Sequence, residues 1–95
     1  MIKFIICEDN LDTLERTSQT VTKSMMKYDM EYKVYKFPKY TNELKKLINE
    51  NGDVKIYILH VELPGISGLE IASEIREDDD DSIIIFATAH PDYRD

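Results

Sequence analysis

The feature that most constrains this chain is a regular alternation of short strand-like runs with amphipathic segments. The strand-like runs are 2–7, 31–37, 54–61 and 82–89, and the amphipathic segments begin near residues 10, 41 and 69. Continuous apolar runs such as 2–7 are typical of strands covered on both faces, while 31–37 alternates with charge as an edge strand does. This order predicts an α/β fold: a doubly wound parallel sheet with helices on both faces, ending after the fourth strand.

Local signals predict where the helices begin and which side chains face inward. Asn10 and Thr41 are expected N-caps, Gly52 is expected to end the second helix, and Pro91 marks a turn or a helix start. The spacing of three and four residues predicts these inward positions: Leu11, Leu14, Ser18, Val21 and Met25; Leu44, Leu47 and Ile48; Leu69, Ala72 and either Ile75 or Ile71. The run 82–89 is expected to be a buried strand.

Length and charge exclude several classes of function. The 95 residues suffice for one domain, 1–95. The net charge of −7 argues against direct contact of this segment with nucleic acid. No stretch resembles a secretory signal or a membrane span, and the single cysteine, Cys7, is expected to be a buried hydrophobe. These features favour a cytoplasmic location.

Chemically capable residues follow three of the predicted strands. Glu8 and Asp9 follow the first strand, His60 ends the third, and Thr88 ends the fourth. If the strands follow the common doubly wound order 2-1-3-4-5, the carboxyl ends of strands one and three flank the crevice where ligands bind in open α/β sheets. Two adjacent carboxylates can hold Mg2+ there, although acids at strand ends are often only helix caps. A mixed carboxylate and imidazole set also suits Zn2+, Mn2+ or Ni2+.

Three stretches together resemble a known family. They are IICEDN (5–10), YILHVELPGISGLEIASEIR (57–76) and IIIFATAH (83–90). In order and spacing the chain resembles the receiver domain of a two-component response regulator, with its flavodoxin-like fold. It is most similar to receivers that precede LytTR-type DNA-binding domains. By this resemblance the chain lacks the last helix, strand and helix of the family.

The resemblance implies a phosphorelay switch rather than an enzyme. It implies that Glu8 and Asp9 bind Mg2+, that Glu62 adds its backbone carbonyl, and that the Thr88 hydroxyl meets the phosphoryl group. The implied partners are a sensor histidine kinase and an output domain that controls transcription. The family's acceptor is an aspartate, but His60 occupies that position, and an imidazole cannot form an acyl phosphate. We therefore expect weakened Mg2+ binding and no stable phosphoryl group at His60.

Three interpretations of the chain remain open. It is a signalling receiver with a substituted acceptor, a pseudo-receiver that acts as an interaction module without phosphorylation, or a metal site formed by Glu8, Asp9 and His60. His60 is expected either to fill the pocket and pair with Glu8 or Asp9, or to act as a metal ligand. The open edge of the fourth strand also predicts self-association into a dimer or larger assembly.

Overall fold

The computed structural model describes residues 1–88, in which strands and helices alternate along the chain. The strands are β1 (Ile2–Cys7), β2 (Tyr32–Phe37), β3 (Val54–His60) and β4 (Ile83–Ala87). The helices are α1 (Leu11–Met25), α2 (Asn42–Asn49) and α3 (Gly68–Asp78). Ala89, the last residue of the predicted fourth strand, and the expected turn at Pro91 lie outside the described residues. No helix within 1–88 has both the length and the apolar character needed to span a membrane.

The four strands form one parallel sheet in the order β2-β1-β3-β4. The registers pair Cys7 with Phe37 on one side and with Leu59 on the other, and pair His60 with Ala87. The predicted α/β doubly wound sheet is thus confirmed, and so is the place of the second strand at an edge. Because all strands run in one direction, their carboxyl ends lie along a single edge of the sheet.

The sheet separates two apolar cores. One lies under α2 and α3 and contains Ile5, Cys7, Leu44, Leu47, Ile48, Tyr57, Leu59, Ile71, Ala72 and Ile75. The other lies under α1 and contains Phe4, Ile6, Leu14, Val21 and Met25. Alternate residues of β1 face opposite cores, as the two-residue period of a strand requires. Cys7 is buried as expected, and burial raises the pKa of its thiol to about 12.

Side-chain caps begin all three described helices. Asn10 accepts a hydrogen bond from the Thr13 amide (2.9 Å), and Thr41 accepts one from the Leu44 amide (3.3 Å). Ser67 does the same for α3. Each oxygen satisfies an amide that has no partner within the helix, so the start of the helix is fixed locally. The assignment of Gly52 was wrong: α2 ends at Asn49, and Gly52 lies in the following turn with φ of +99°.

Two predicted core leucines are exposed. Leu11 is 67% exposed and Leu69 is 43% exposed, although both belong to apolar stripes. Each lies in the first turn of its helix. Helical side chains lean toward the amino terminus of the helix, so these two extend past the end of the packed face. Periodicity identified the stripe correctly but not the turn at which burial begins.

The expectation that the fourth strand is buried was also wrong. Ile83, Ile85 and Phe86 on β4 are each more than 40% exposed. Helix α1 packs on β1 and β2, so within residues 1–88 no helix covers the side of β4 on which Ile83 and Ile85 lie. Ile84, which points to the other side, is partly buried against the core under α2 and α3. Phe86 lies on the same side as Ile84 but is 42% exposed, so that side of the strand is covered only in part.

Candidate functional site

The candidate site lies where three neighbouring strands end. Glu8 and Asp9 follow β1, His60 is the last residue of β3, and Thr88 follows β4. The Glu8 amide donates to the Phe37 carbonyl at 3.0 Å, which ties this end of β1 to β2. The parallel register thus brings together four side chains that lie far apart in the sequence.

Glu8, Asp9 and His60 form a compact cluster of potential metal ligands. One ligand atom from each residue lies within 4.8 Å of the others. Glu8 is buried, His60 is partly buried and Asp9 is exposed. The cluster is therefore reachable from solvent on the Asp9 side and closed by protein on the Glu8 side.

Both carboxylate oxygens of Glu8 already have partners. Oε1 lies 3.2 Å from His60 Nδ1, and Oε2 accepts a hydrogen bond from the Asn10 amide at 3.1 Å. The contact with His60 is an ion pair only when the imidazole is protonated. The expected pairing of His60 with Glu8 is thus observed. A metal ion bound by Glu8 would have to share or replace these bonds.

A second carboxylate, Glu62, approaches the other nitrogen of His60. Glu62 Oε2 lies 3.9 Å from Nε2, so the imidazole is held between two acids. The Thr88 hydroxyl donates to the same carboxylate, at 2.8 Å from Oε1 and 2.9 Å from Oε2. Sequence reasoning had considered only the backbone carbonyl of Glu62 and missed its side chain. An acid two residues after a strand end, beside a hydroxyl on the next strand, was the available signal.

A tight approach of α3 fixes the end of β3. The Gly68 amide donates to the Val61 carbonyl at 2.9 Å, and the Val61 amide donates to the Ala87 carbonyl at 3.0 Å. A Cβ atom on Gly68 would lie 2.3 Å from the His60 carbonyl oxygen. Only a residue without a side chain can therefore stand here without displacing the backbone that carries His60. The sequence alone did not indicate this contact.

A groove of about 610 Å3 lies at the opposite edge of the sheet, far from His60. It is lined by residues 48–55 and 78–82. Lys55 is buried beside it and donates to the carbonyls of Ile48 and Glu50 at the end of α2. Burial lowers the pKa of Lys55. Since its ammonium group satisfies helix-end carbonyls, we assign Lys55 a structural role and place the chemistry at the His60 edge.

The donor set at the His60 edge suits magnesium only in part. Mg2+ prefers six oxygen ligands in near-ideal octahedral geometry. Here the potential ligands are two carboxylates and one imidazole nitrogen. Mixed nitrogen and oxygen sets suit Zn2+, Mn2+ or Ni2+ better. The residues present thus fit a divalent cation, but not the all-oxygen site that magnesium favours.

The comparisons with known proteins that found a match all found response regulators. A family model described as the response regulator receiver domain matches residues 4–95. None of the curated proteins matches the chain. Two solved structures are similar to it over nearly its whole length.

The first similar structure is the crystal structure of response regulator protein TrrA from Thermotoga maritima in complex with Mg2+–BeF. The two chains are 32% identical with a TM-score of 0.77, and the match covers 99% of this chain and 75% of that one. The second is the crystal structure of histidine kinase ThkA in complex with response regulator protein TrrA. Its matched chain is also 32% identical, with a TM-score of 0.67, and the match covers 100% of this chain and 75% of that one.

Proposed function

The chain belongs to the response regulator receiver domain family, and from this premise we propose that it receives signals in a two-component pathway through the edge formed by Glu8, Asp9, His60 and Thr88. The observation that carries the proposal is the convergence of these side chains at the carboxyl ends of β1, β3 and β4 in a chain matched from residue 4 to 95. In this assignment Glu8, Asp9 and the Glu62 carbonyl hold a divalent cation, and Thr88 meets an incoming anion. The cation neutralises charge in phosphoryl transfer.

The proposed partner is a sensor histidine kinase. The support comes from the relative TrrA, which has been crystallised with the histidine kinase ThkA and is 32% identical over the full length of this chain. Beyond the kinase, we propose that the chain acts on transcription through an output domain, as receivers joined to LytTR-type domains do. The net charge of −7 supports a role in which this segment does not itself contact DNA or a membrane. We place the protein in the cytoplasm.

His60 stands at the position of the family's phosphoacceptor, and we propose that it does not carry a stable phosphoryl group. An imidazole cannot form the acyl phosphate that a carboxylate nucleophile forms. Its Nδ1 is also occupied by Glu8 at 3.2 Å. Because the imidazole ring replaces an anionic oxygen ligand, we also expect weaker binding of Mg2+.

Phosphorylation of matched variants tests this assignment. The wild-type chain, His60→Asp and His60→Asn are incubated with Mg2+ and acetyl phosphate, and their intact masses are measured at neutral pH. We expect one added phosphoryl group on His60→Asp only, and its loss when Asp9→Asn is added. A wild-type chain labelled at His60 would contradict the proposal. A His60→Asp chain that stays unlabelled with both acetyl phosphate and a histidine kinase would favour the pseudo-receiver, an interaction module that works without phosphorylation.

A second candidate function is a divalent-metal site of a different class. It is favoured by the Glu8, Asp9 and His60 ligand atoms within 4.8 Å of one another. Calorimetric titration with Mg2+, Mn2+ and Zn2+ distinguishes the two, because imidazole prefers the softer ions. We expect Zn2+ or Mn2+ to bind more tightly than Mg2+ and His60→Asp to reverse the order. Tight Mg2+ binding by the wild-type chain without detectable Zn2+ binding would contradict this candidate.

We further propose that the chain associates with other chains through β4. Its support is the exposure of Ile83, Ile85 and Phe86, together with an outer edge that no other strand pairs within residues 1–88. An apolar strand edge of this kind is a template for pairing with another chain.

A further inference from the structure

The side chain of Glu62 occupies the space between the ends of β3 and β4. Its carboxylate accepts a hydrogen bond from the Thr88 hydroxyl, whose oxygen lies 2.8 Å from Oε1 and 2.9 Å from Oε2. Oε2 also lies 3.9 Å from His60 Nε2. A hydroxyl and an imidazole edge therefore face one oxyanion that belongs to the protein itself. The side chain of Glu62 is 35% exposed, so this oxyanion lies at the mouth of the site rather than in the core.

A free oxyanion that used the same hydroxyl would compete directly with this carboxylate. The hydroxyl of Thr88 has one proton to donate, and both oxygens of Glu62 lie within hydrogen-bond distance of it. A tethered group has an effective concentration on the order of millimolar. If Glu62 stayed in place, two negative groups would approach each other, and like charges at such distances repel. A dianion such as phosphate must therefore displace Glu62 or remain outside.

We infer that Glu62 is an internal oxyanion that determines the specificity of the site, excluding inorganic phosphate and similar free oxyanions from the Thr88 hydroxyl. Its second effect is mechanical. The contact joins the residue after β4 to the loop after β3, so displacing Glu62 breaks a hydrogen bond between them. Anion entry and the position of the β4 end are thereby linked through one side chain.

The inference deepens the proposed function and rests on it for its biological setting. Its physical content depends only on whether a free oxyanion reaches Thr88 once Glu62 is removed. The test below uses no kinase, no phosphodonor and no substitution of His60. Its failure is therefore distinguishable from failure of the phosphorylation experiment.

Titration with inorganic phosphate tests the inference. The wild-type chain, Glu62→Ala and Glu62→Gln are titrated while the methyl resonance of Thr88 is followed by NMR. Glu77→Ala is the matched control, because it removes the same charge from an exposed position on α3. We expect Glu62→Ala to bind phosphate at least about tenfold more tightly than the wild type, as loss of a competing charged hydrogen bond implies. Glu62→Gln, which keeps an acceptor oxygen but not the charge, should gain less.

Further outcomes of the phosphate titration support or overturn the inference. Adding Thr88→Val to Glu62→Ala should abolish the gain, since the hydroxyl donor is then missing. Equal phosphate affinity in the wild type and both Glu62 variants would overturn the inference, and so would an equal gain in Glu77→Ala, which would reduce the effect to net charge. If Glu62→Ala does not fold, the test rests on Glu62→Gln. A Glu62→Gln chain that binds phosphate no more tightly than the wild type then overturns the inference.

Discussion

Replacing Gly68 by alanine tests whether the contact between α3 and the end of β3 holds His60 in place. The new Cβ would lie 2.3 Å from the His60 carbonyl oxygen and 3.0 Å from the carbonyl carbon. Ordinary contact begins at 3.4 Å, so the two backbone segments would have to separate by about 1 Å. Both obstructing atoms belong to the backbone, so no side chain can rotate away to make room.

The cost of this change follows from three effects. Forcing extra atoms into a packed site typically destabilises by about 1–3 kcal/mol. Lengthening the bond from the Gly68 amide to the Val61 carbonyl (2.9 Å) removes about 1 kcal/mol more. Alanine is favoured over glycine within a helix by about 1 kcal/mol, which offsets the second effect. We therefore expect Gly68→Ala to lower the free energy of unfolding by about 1–3 kcal/mol.

Urea unfolding followed by circular dichroism measures the loss, and the NMR signals of the His60 ring report its position. Gly52→Ala is the control. A Cβ at Gly52 meets no atom within 4 Å, so its cost is backbone strain at φ of +99°, on the opposite edge of the sheet. Both variants should lose stability, but only Gly68→Ala should shift the His60 signals. Unchanged stability and unchanged His60 signals in Gly68→Ala would refute the reasoning.

Four more predictions follow from the packing. Tyr57→Phe should leave stability unchanged or raise it by up to about 1 kcal/mol, because the fully buried Tyr57 hydroxyl has no hydrogen-bond partner within residues 1–88. Tyr40→Phe, which loses bonds of 2.7 and 2.9 Å to Glu74, should cost about 1 kcal/mol in the same urea assay, and the reverse order would be contrary to this account. Asp79→Ala should make the free energy of unfolding less dependent on pH in the acid range. The pKa of Asp79 is lowered by the hydrogen bond from the Ser82 side chain and then by those from the Ser82 and Asp81 amides. A carboxyl group whose pKa is lowered in the folded state stabilises the fold at pH values above its usual pKa of 3.8. This stabilisation is lost as the pH falls below that value. The variant should therefore lose less stability than the wild type between pH 5 and pH 3, and equal losses would count against the assignment. Ile85→Lys should shift the chain toward a monomer in light scattering behind a sizing column, whereas a compact wild-type monomer at tens of micromolar would disprove association through β4.

Much of the fold follows from local patterns. The apolar run Ile2–Cys7 has the same bounds in the sequence and in the structure, and Asn10 and Thr41 cap the helices that they were expected to cap. A strand period and a cap depend on neighbours within a few residues, so they can be predicted without tertiary information. The grouping of Glu8, Asp9 and His60 at one edge follows as well, because parallel strands share a direction.

Other features depend on distances between segments that are remote in the sequence. Periodicity could not tell that Leu11 and Leu69 extend beyond the packed face, or that α1 leaves one side of β4 open. The site shows the same division. The sequence alone placed Glu8, Asp9, His60 and Thr88 near the ends of their strands, whereas tertiary packing decided that the Glu62 carboxylate meets Thr88 and that Gly68 touches the His60 backbone. The reason is physical: a local pattern specifies the direction of a side chain, but a hydrogen bond forms only within a few tenths of an ångström, and that precision comes from the packing of strands and helices against one another.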